Sequence, residues 1–328
     1  MLIMPGKASR ARRRAVLALL AWVCAVPLVA EDAGVKPPPT APPPSFSEEV
    51  AVDWILVPVI VKSKKGYLRD IPREDFELRV DGKPVRFQDF EQRGEASWSL
   101  VLLQDLSGSM GVGGRLAASQ EAARYFLDRG RPGDEFALAS FASGSTSVDV
   151  PFTEDMEALR ESVASWEAYG KTALHDAVGR LPEITGDSRN VKRAAILVTD
   201  GVDNASALSA NEARELVRRA ELPVYVLGLE SGDPFAVDER GEKVYRYADM
   251  LNLLSHLTGG RYFPIAGPDD LKEACATIAD DLRYQYVLGF DTSGRGEAGF
   301  HRITVGVRGK DEVRIQTRLG YRGTAPAH

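Results

Sequence analysis

Short apolar runs alternate with amphipathic segments in the middle of this 328-residue chain, and this alternation constrains the fold more than any other feature. Strands that alternate with helices form parallel sheets covered on both faces. We therefore predict an α/β fold with a doubly wound, mostly parallel sheet over residues 95–282, and an antiparallel edge strand at Ser147–Val150. The strand candidates are 98–103, 135–141, 194–199, 223–229 and 261–264, and apolar spacings of three and four residues mark helices around 156–166, 174–181 and 271–282.

Both flanks of this region carry the two-residue alternation of antiparallel strands. On the amino-terminal side the alternation spans 50–87 and includes an Asp81-Gly82 hairpin turn, and on the carboxyl-terminal side it spans 284–319. Neither flank alone has enough strands for a sandwich, so we expect the two to complete each other's sheets. The prediction is a second, small all-β domain, with a short tail after it. Its two parts are residues 46–94 and 283–322, and the tail is 323–328.

The amino terminus has the pattern of a secretory signal peptide. Five basic residues between Lys7 and Arg14 precede an apolar run from Ala15 to Ala30. The run is shorter than the ~20 residues that span a bilayer, and we predict no other transmembrane segment. We expect residues 1–30 to be a signal peptide and residues 31–45 to be a stiff Pro-rich linker. The protein is then exported to the periplasm or the extracellular space, although retention of the leader as an anchor remains open.

Charge and cysteine content narrow the classes of partner and site. The net charge is −6, and it becomes −11 without residues 1–30, which hold five basic and no acidic residues. A negative surface repels phosphate backbones, so nucleic acid is not an expected partner. Of the two cysteines only Cys275 lies beyond the leader, where the helical spacing predicts a buried position. We therefore expect neither a disulfide nor a cysteine-based zinc site.

Acidic and hydroxyl side chains follow two of the predicted strands. Asp105-Leu106-Ser107-Gly108-Ser109 follows the first strand, Asp200-Gly201 follows the third, and Thr172 lies in a loop between them. Ligands of open α/β sheets collect at the carboxyl ends of the strands. Oxygen ligands with two carboxylates suit a small, hard divalent cation, so we favour Mg²⁺, with Mn²⁺ and Ca²⁺ as alternatives. The predicted metal ligands are Asp105, Ser107, Ser109, Thr172 and Asp200.

Two further acidic residues are close in sequence to these candidate ligands, and the candidate ligands themselves also have a competing interpretation. Asp176 and Asp203 are candidates for acceptors that support the ligands, and a solvated helix face or a turn is an equally open reading for both. The competing interpretation is that Asp105 and Ser109 only cap a helix that starts near Arg115. It leaves Thr172 and Asp200 without a role.

The pattern Asp105-x-Ser107-x-Ser109, Thr172 and Asp200-Gly201 resembles the metal-ion-dependent adhesion site of von Willebrand factor type A domains. The resemblance covers roughly residues 95–265. The β flanks further resemble the secreted bacterial subgroup called the VWFA-related acidobacterial type. The resemblance implies a non-enzymatic protein-binding or adhesion module, in which a partner protein supplies an Asp or Glu side chain to the metal.

Two other functional classes compete with this one. The first is a structural envelope scaffold in which a metal only stabilises the loops. The second is a metal-dependent hydrolase, for which Ser109, His175 and Asp200 are a conceivable triad. The chain lacks a GxSxG nucleophile elbow, and we expect His175 to face solvent. Four glycines follow the first strand but fit neither GxGxxG nor GxxxxGK[ST], which disfavours nucleotide binding; they are Gly108, Gly111, Gly113 and Gly114.

Overall fold

The computed structural model describes residues 54–323, apart from 93, 95, 220, 239, 243, 245, 293–298 and 311. The predicted signal peptide, the predicted linker, residues 46–53 and most of the predicted tail therefore lie outside the described residues. The strands are β1 Trp54–Ser63, β2 Gly66–Tyr67, β3 Phe76–Val80, β4 Lys83–Val85, β5 Asp89–Glu91, β6 Trp98–Asp105, β7 Glu135–Ala142, β8 Ser145–Thr153, β9 Lys192–Thr199, β10 Val224–Leu229, β11 Tyr262–Ile265, β12 Tyr286–Asp291, β13 Gly299–Val307, β14 Arg314–Thr317 and β15 Gly320–Gly323. The helices are α1 Arg115–Leu127, α2 Met156–Ala164, α3 Leu174–Gly179, α4 Leu181–Ile184, α5 Ala210–Val217, α6 Arg246–Thr258 and α7 Pro268–Arg283, with short 3₁₀ turns at Arg73–Asp75 and Gly108–Gly111.

A six-stranded sheet forms the centre of the fold, in the order β11-β10-β9-β6-β7-β8. All neighbours pair in parallel except β8, which pairs antiparallel with β7 at the edge. Every residue of β6 is buried, as expected for a strand covered on both faces. The predicted α/β fold class and the antiparallel edge strand are therefore confirmed.

Helices cover both faces of the central sheet. Helices α1, α2 and α7 pack on one face, and α3, α5 and α6 pack on the other. Cys275 of α7 is buried in the first of these layers, and burial raises the pKa of its thiol to about 12. The expected buried position of Cys275 is thus confirmed.

Two helix predictions need correction at their ends. The helix predicted around 156–166 ends at Ala164, and Trp166 is buried beyond its end. The single helix predicted around 174–181 is divided into α3 and α4. Pro182 has no N–H to donate to the carbonyl of Val178, so the hydrogen-bond ladder is interrupted there.

Two antiparallel sheets, built from both flanks of the chain, form the β region. One sheet has the order β14-β1-β12-β5, with β2 paired to β1, and the other has the order β15-β13-β3-β4. The pairs β1–β12 and β13–β3 each join one amino-terminal strand to one carboxyl-terminal strand. A shared core that includes Val57, Phe76 and Tyr286 lies between the sheets. Strands of the two flanks therefore complete each other's sheets, while the exact domain boundaries stay a prediction.

The β region contacts the helix ends and turns of the central region that lie at the edge where the parallel strands begin. Asp281, near the end of α7, accepts a hydrogen bond from Tyr67 Oη at 2.6 Å and pairs with Lys62 Nζ at 2.7 Å. Arg318 donates to the carbonyl of Arg218 at 2.6 Å, and Gln316 donates to the carbonyl of Gly259 at 2.9 Å. The opposite edge, at the carboxyl ends of the parallel strands, is called the carboxyl edge below.

Glu135 at the start of β7 gives the first testable prediction. Its carboxylate is buried and accepts hydrogen bonds from Ser99 Oγ at 2.5 Å and from Arg189 N and Nε at 2.6 and 2.7 Å. Burial opposes ionisation, but these hydrogen bonds and the Arg189 charge outweigh it and lower the pKa of Glu135 below its usual 4.5. A lowered folded-state pKa stabilises the fold above pH 4.5, and this contribution is lost as the pH falls through the folded-state pKa.

We expect Glu135→Gln to lower the free energy of unfolding by about 2 kcal/mol at pH 7, because hydrogen bonds to a charged group are lost. The difference from wild type should shrink at pH 3. Urea unfolding at both pH values measures it, with the exposed Glu273→Gln as the control. A difference of equal size at pH 7 and pH 3 would contradict the assigned ionised state.

Candidate metal site

Asp105 is the last residue of β6, and its side chain is fully buried at the carboxyl edge. Its Oδ1 accepts from the backbone N–H of Ser107 at 2.8 Å, and its Oδ2 accepts from the Thr199 hydroxyl at 2.6 Å. Burial raises the pKa of Asp105 to about 6, and the charge of Asp200 raises it further, while the hydrogen bonds from Thr199 and Ser107 oppose the rise. A cation placed against Asp105 would therefore offset the unfavourable burial of its charge.

The two predicted serine ligands lie side by side on the turn that follows β6. Their hydroxyl oxygens are 3.2 Å apart; Ser107 is buried and Ser109 is half-buried. A 3₁₀ turn at Gly108–Gly111 changes the chain direction after β6, and the fully buried Met110 side chain fixes this turn to the core. The turn thus places both hydroxyls beside the end of β6.

Backbone hydrogen bonds join the Thr172 loop to the Asp105 loop. The N–H of Gly108 donates to the carbonyl of Gly170 at 3.0 Å, and the N–H of Tyr169 donates to the carbonyl of Leu106 at 2.7 Å. Gly170 has φ +70°, and a Cβ there would lie 1.7 Å from Ser143 Oγ, so glycine is required. Thr172 follows two residues later and is buried.

Asn204 holds Thr172 in place from a third loop. The N–H of Thr172 donates to Asn204 Oδ1 at 2.9 Å, and the carbonyl of Thr172 accepts from the N–H of Asn204 at 3.0 Å. Asn204 was not singled out from the sequence. Asn204 lies four residues after Asp200 in a polar loop, and an amide in a polar loop only weakly indicates a contact with Thr172.

Asp200 directly follows the last residue of β9, which is the Thr199 that donates to Asp105. Arg115 Nη1 lies 3.6 Å from Asp200 Oδ2 and also donates to the carbonyl of Ser109 at 3.0 Å. The same guanidinium binds Glu230, with Nε 3.0 Å from Oε2. Arg115 therefore links the loops that carry Ser109 and Asp200, and neither Arg115 nor Glu230 has a sequence signal that points to this role.

The competing interpretations do not match these contacts. The residue that precedes α1 is Gly114, with φ +78° and no side-chain capping bond, so the idea that Asp105 and Ser109 cap this helix is wrong. The expectation that His175 faces solvent is also wrong, since its side chain is only 17% exposed. His175 Nδ1 lies 3.1 Å from the carbonyl oxygen of Leu208, so the imidazole ring is paired with a backbone group.

Asp176 and Asp203 organise the segment that follows β9. Asp176 accepts from the N–H groups of Ala207 and Leu208 at 2.9 and 2.8 Å. Asp203 accepts from the Ser206 hydroxyl at 2.6 Å and from the N–H of His175 at 3.0 Å, and these bonds outweigh burial and lower the pKa of Asp203. These contacts are those of a turn, and a supporting role for either acid toward a metal stays a prediction.

The donor set at the carboxyl edge fits a hard divalent cation. Two carboxylates and three hydroxyl-bearing residues lie on loops that are hydrogen-bonded to one another, and every donor is oxygen. Over the described residues, no group of three or more His, Cys, Asp or Glu side chains could hold a metal ion. A metal here would therefore depend on hydroxyls and water for the rest of its ligands.

Comparison with known proteins identifies the class of the central region. Residues 100–202 match the family model of the von Willebrand factor type A domain. The central region thus has a von Willebrand A-like α/β fold, with a mostly parallel sheet and helices on both faces.

The similar proteins share only part of their length with this chain. An uncharacterized protein of Borreliella burgdorferi is 25% identical over 210 residues, covering 59% of this chain and 57% of that protein. A UPF0353 protein of Mycolicibacterium gilvum is 24% identical over 228 residues, covering 63% and 66%. A solved von Willebrand factor type A structure from Catenulispora acidiphila is 13% identical, with a TM-score of 0.47, and the match covers 84% of this chain and 75% of that one. The chain spans less than two-thirds of both curated relatives.

Proposed function

We propose that this protein is an exported, divalent-metal-dependent protein-binding module of the adhesion type. The observation that carries the proposal is the buried Asp105 carboxylate, which is bonded to Ser107 and to Thr199 beside Asp200. The loop of Asp105 is in turn bonded to the loop of Thr172. Export rests on the signal-peptide pattern of residues 1–30. In the described part of the chain, none of the helices has the length and apolar character needed to cross a membrane.

An incompletely filled coordination shell is the reason why such a site would bind a partner. Two carboxylates neutralise a divalent ion, while the hydroxyls of Ser107, Ser109 and Thr172 add no charge. The residues that would hold the metal are Asp105, Ser107, Ser109, Thr172 and Asp200. The metal would supply Lewis acidity toward one Asp or Glu carboxylate of the partner. Mg²⁺ is the favoured ion because it takes oxygen ligands and retains water, and Mn²⁺ and Ca²⁺ are the alternatives.

Binding without turnover is the mode that the contacts favour. Residues 100–202 match the von Willebrand factor type A family model, and domains of this family are generally interaction modules. The Ser109 hydroxyl pairs with Ser107, and His175 pairs with a backbone carbonyl and lies 3.6 Å from Asp203. These contacts differ from a triad, in which the histidine accepts the serine proton.

Thermal unfolding tests the metal site directly. The full chain is unfolded in chelator and then in excess Mg²⁺, Mn²⁺ or Ca²⁺. An ion that binds only the folded state stabilises it by about 2.7 kcal/mol at 100-fold excess over Kd, so the midpoint should rise. A midpoint that no ion raises would overturn the metal site. A scaffold whose metal only stabilises the loops would show the rise but keep partner binding in chelator.

Arg115 gives a second prediction, on metal affinity. Its guanidinium is a positive charge 3.6 Å from Asp200, with side chains only 22% and 8% exposed, so it competes with a cation for the same carboxylate. We expect Arg115→Met to tighten the Mg²⁺ dissociation constant about tenfold, which is about 1.4 kcal/mol. Isothermal titration calorimetry measures the change, and Arg160→Met, at a surface pair with Asp128, is the control. Weaker binding in Arg115→Met would mean that Arg115 chiefly positions the loops.

A further inference from the structure

Four exposed large apolar side chains lie next to the loops that carry the candidate metal ligands. They are Val112, Tyr169, Val202 and Tyr247, with exposed fractions of 64%, 56%, 37% and 48%. We call this set the apolar collar. Single exposed apolar residues are ordinary on protein surfaces, but several on the loops around one candidate site favour an interaction surface.

The bonds that position the candidate ligands also position the collar. The N–H of Val112 donates to the carbonyl of Ser109 at 3.2 Å, and the N–H of Val202 donates to Asp200 Oδ1 at 3.3 Å. Tyr169 is fixed by the bond from its N–H to the carbonyl of Leu106.

Tyr247, at the start of α6, completes the collar beside Asp200. A Cβ placed on Gly201 would lie 3.3 Å from the Cβ of Tyr247, so the two backbones approach closely. Each side chain of the collar is therefore within three residues of a candidate ligand or packed against its loop. A partner segment that reaches the candidate ligands would pass beside these loops, where the four side chains are exposed.

We infer that the partner segment carries an acidic residue flanked by apolar residues, which pack on the apolar collar while the acid reaches the metal. This inference rests on the proposed function and specifies its ligand. A segment with several neighbouring acids is disfavoured because the chain itself is acidic, with a net charge of −6, or −11 without residues 1–30. Apolar flanks add contact area without added repulsion, and a half-exposed tyrosine such as Tyr169 is a typical anchor of protein interfaces.

Peptide selection tests the inference. A phage-displayed library of nine-residue peptides with a central Asp and random flanks is selected on the full chain in Mg²⁺. We expect the enriched peptides to carry apolar residues within two positions of the Asp. Their binding should fall at least tenfold in Tyr169→Ser and in Val112→Ser.

Val191→Ser is the matched control, because Val191 is 47% exposed but directly precedes β9, at the opposite edge of the sheet. It should change binding less than twofold, and the thermal midpoints of all three variants should stay close to wild type. Enrichment without an apolar preference, or no enrichment at all, would overturn the inference. Equal losses in Val191→Ser and Tyr169→Ser would do the same.

Chelator separates this inference from the proposed function. Peptides whose binding needs Tyr169 but is unchanged in chelator would support the collar as a docking surface. The same result would contradict the proposed metal-dependent function. Analytical sedimentation of the chain alone tests whether a second copy of the chain binds the apolar collar. A dimer that Tyr169→Ser dissociates would show that the collar is a self-association surface, and the inference would then be wrong.

Discussion

Asp105→Asn is expected to abolish the stabilisation that the proposed site predicts for the wild-type chain in Mg²⁺. At 100-fold excess of metal over Kd that stabilisation is about 2.7 kcal/mol, or roughly 5 to 10 °C in the unfolding midpoint of a region of this size. Asparagine keeps the shape of the side chain but removes the negative charge that faces the metal. Partner capture should be lost with the metal.

The same variant should behave differently without metal, and this separates a binding defect from a damaged fold. Burial raises the pKa of Asp105 to about 6, so at pH 7 the folded chain holds an unfavourable buried charge. A raised folded-state pKa makes the metal-free fold less stable as the pH rises from about 4 through 6. We therefore expect Asp105→Asn in chelator to be no less stable than wild type at pH 7.

Asp128→Asn is the control for this experiment, since the Asp128 side chain is 59% exposed and pairs only at the surface with Arg160. It should keep the full response to Mg²⁺. A midpoint that still rises with Mg²⁺ in Asp105→Asn would show that the ion is held elsewhere.

Asp281→Ala should cause a large loss of stability, about 3 kcal/mol in the free energy of unfolding. The Asp281 side chain is fully buried and binds both Lys62 and Tyr67 of the β region. Breaking a buried ion pair by removing one partner typically costs about 3–5 kcal/mol, and Lys62 is 24% exposed, which favours the lower value. Burial and the nearby Asp281 charge also raise the pKa of Tyr67, so its hydroxyl stays a donor.

Urea unfolding measures this loss, with Glu312→Ala as the matched control. Glu312 pairs with Lys64 at 2.9 Å, but both side chains are about four-fifths exposed, so its loss should change stability by less than ~1 kcal/mol. Similar losses in the two variants would contradict the view that α7 and the β region are held together through Asp281.

The succession of the central strands could be predicted because burial on both faces leaves a continuous apolar run, as in β6. Helix α5 escaped prediction because only Ala213 and Val217 of its residues are buried, too few to give a clear apolar face. Its start is marked instead by a capping box between Ser209 and Glu212. Helix α6, with Ala248, Leu251 and Leu254 buried at a spacing of three, was missed although its pattern was present.

The candidate site was predictable only in part. The strand-end rule points to Asp105 and Asp200, because acids after buried strands must emerge at one edge. The contacts of Arg115 with Asp200 and Glu230 join residues more than 80 positions apart, and no local pattern encodes them. The pairing of β1 with β12 could not be predicted for the same reason. Apolar alternation indicates that a segment is a strand, but it does not indicate which strand pairs with it.

The position of β1 bears on how the molecule would carry a mechanical load. Strand β1 starts at Trp54 and lies inside its sheet, paired with β12 over six residue pairs and with β14 over four. Antiparallel hydrogen bonds run perpendicular to the strands, so a pull along β1 strains all of them in shear instead of peeling them one by one. Strand β12 follows α7, which begins at Pro268, just after β11 reaches the carboxyl edge. Tension between Trp54 and a partner at that edge would thus pass through the best-paired strands of the β region.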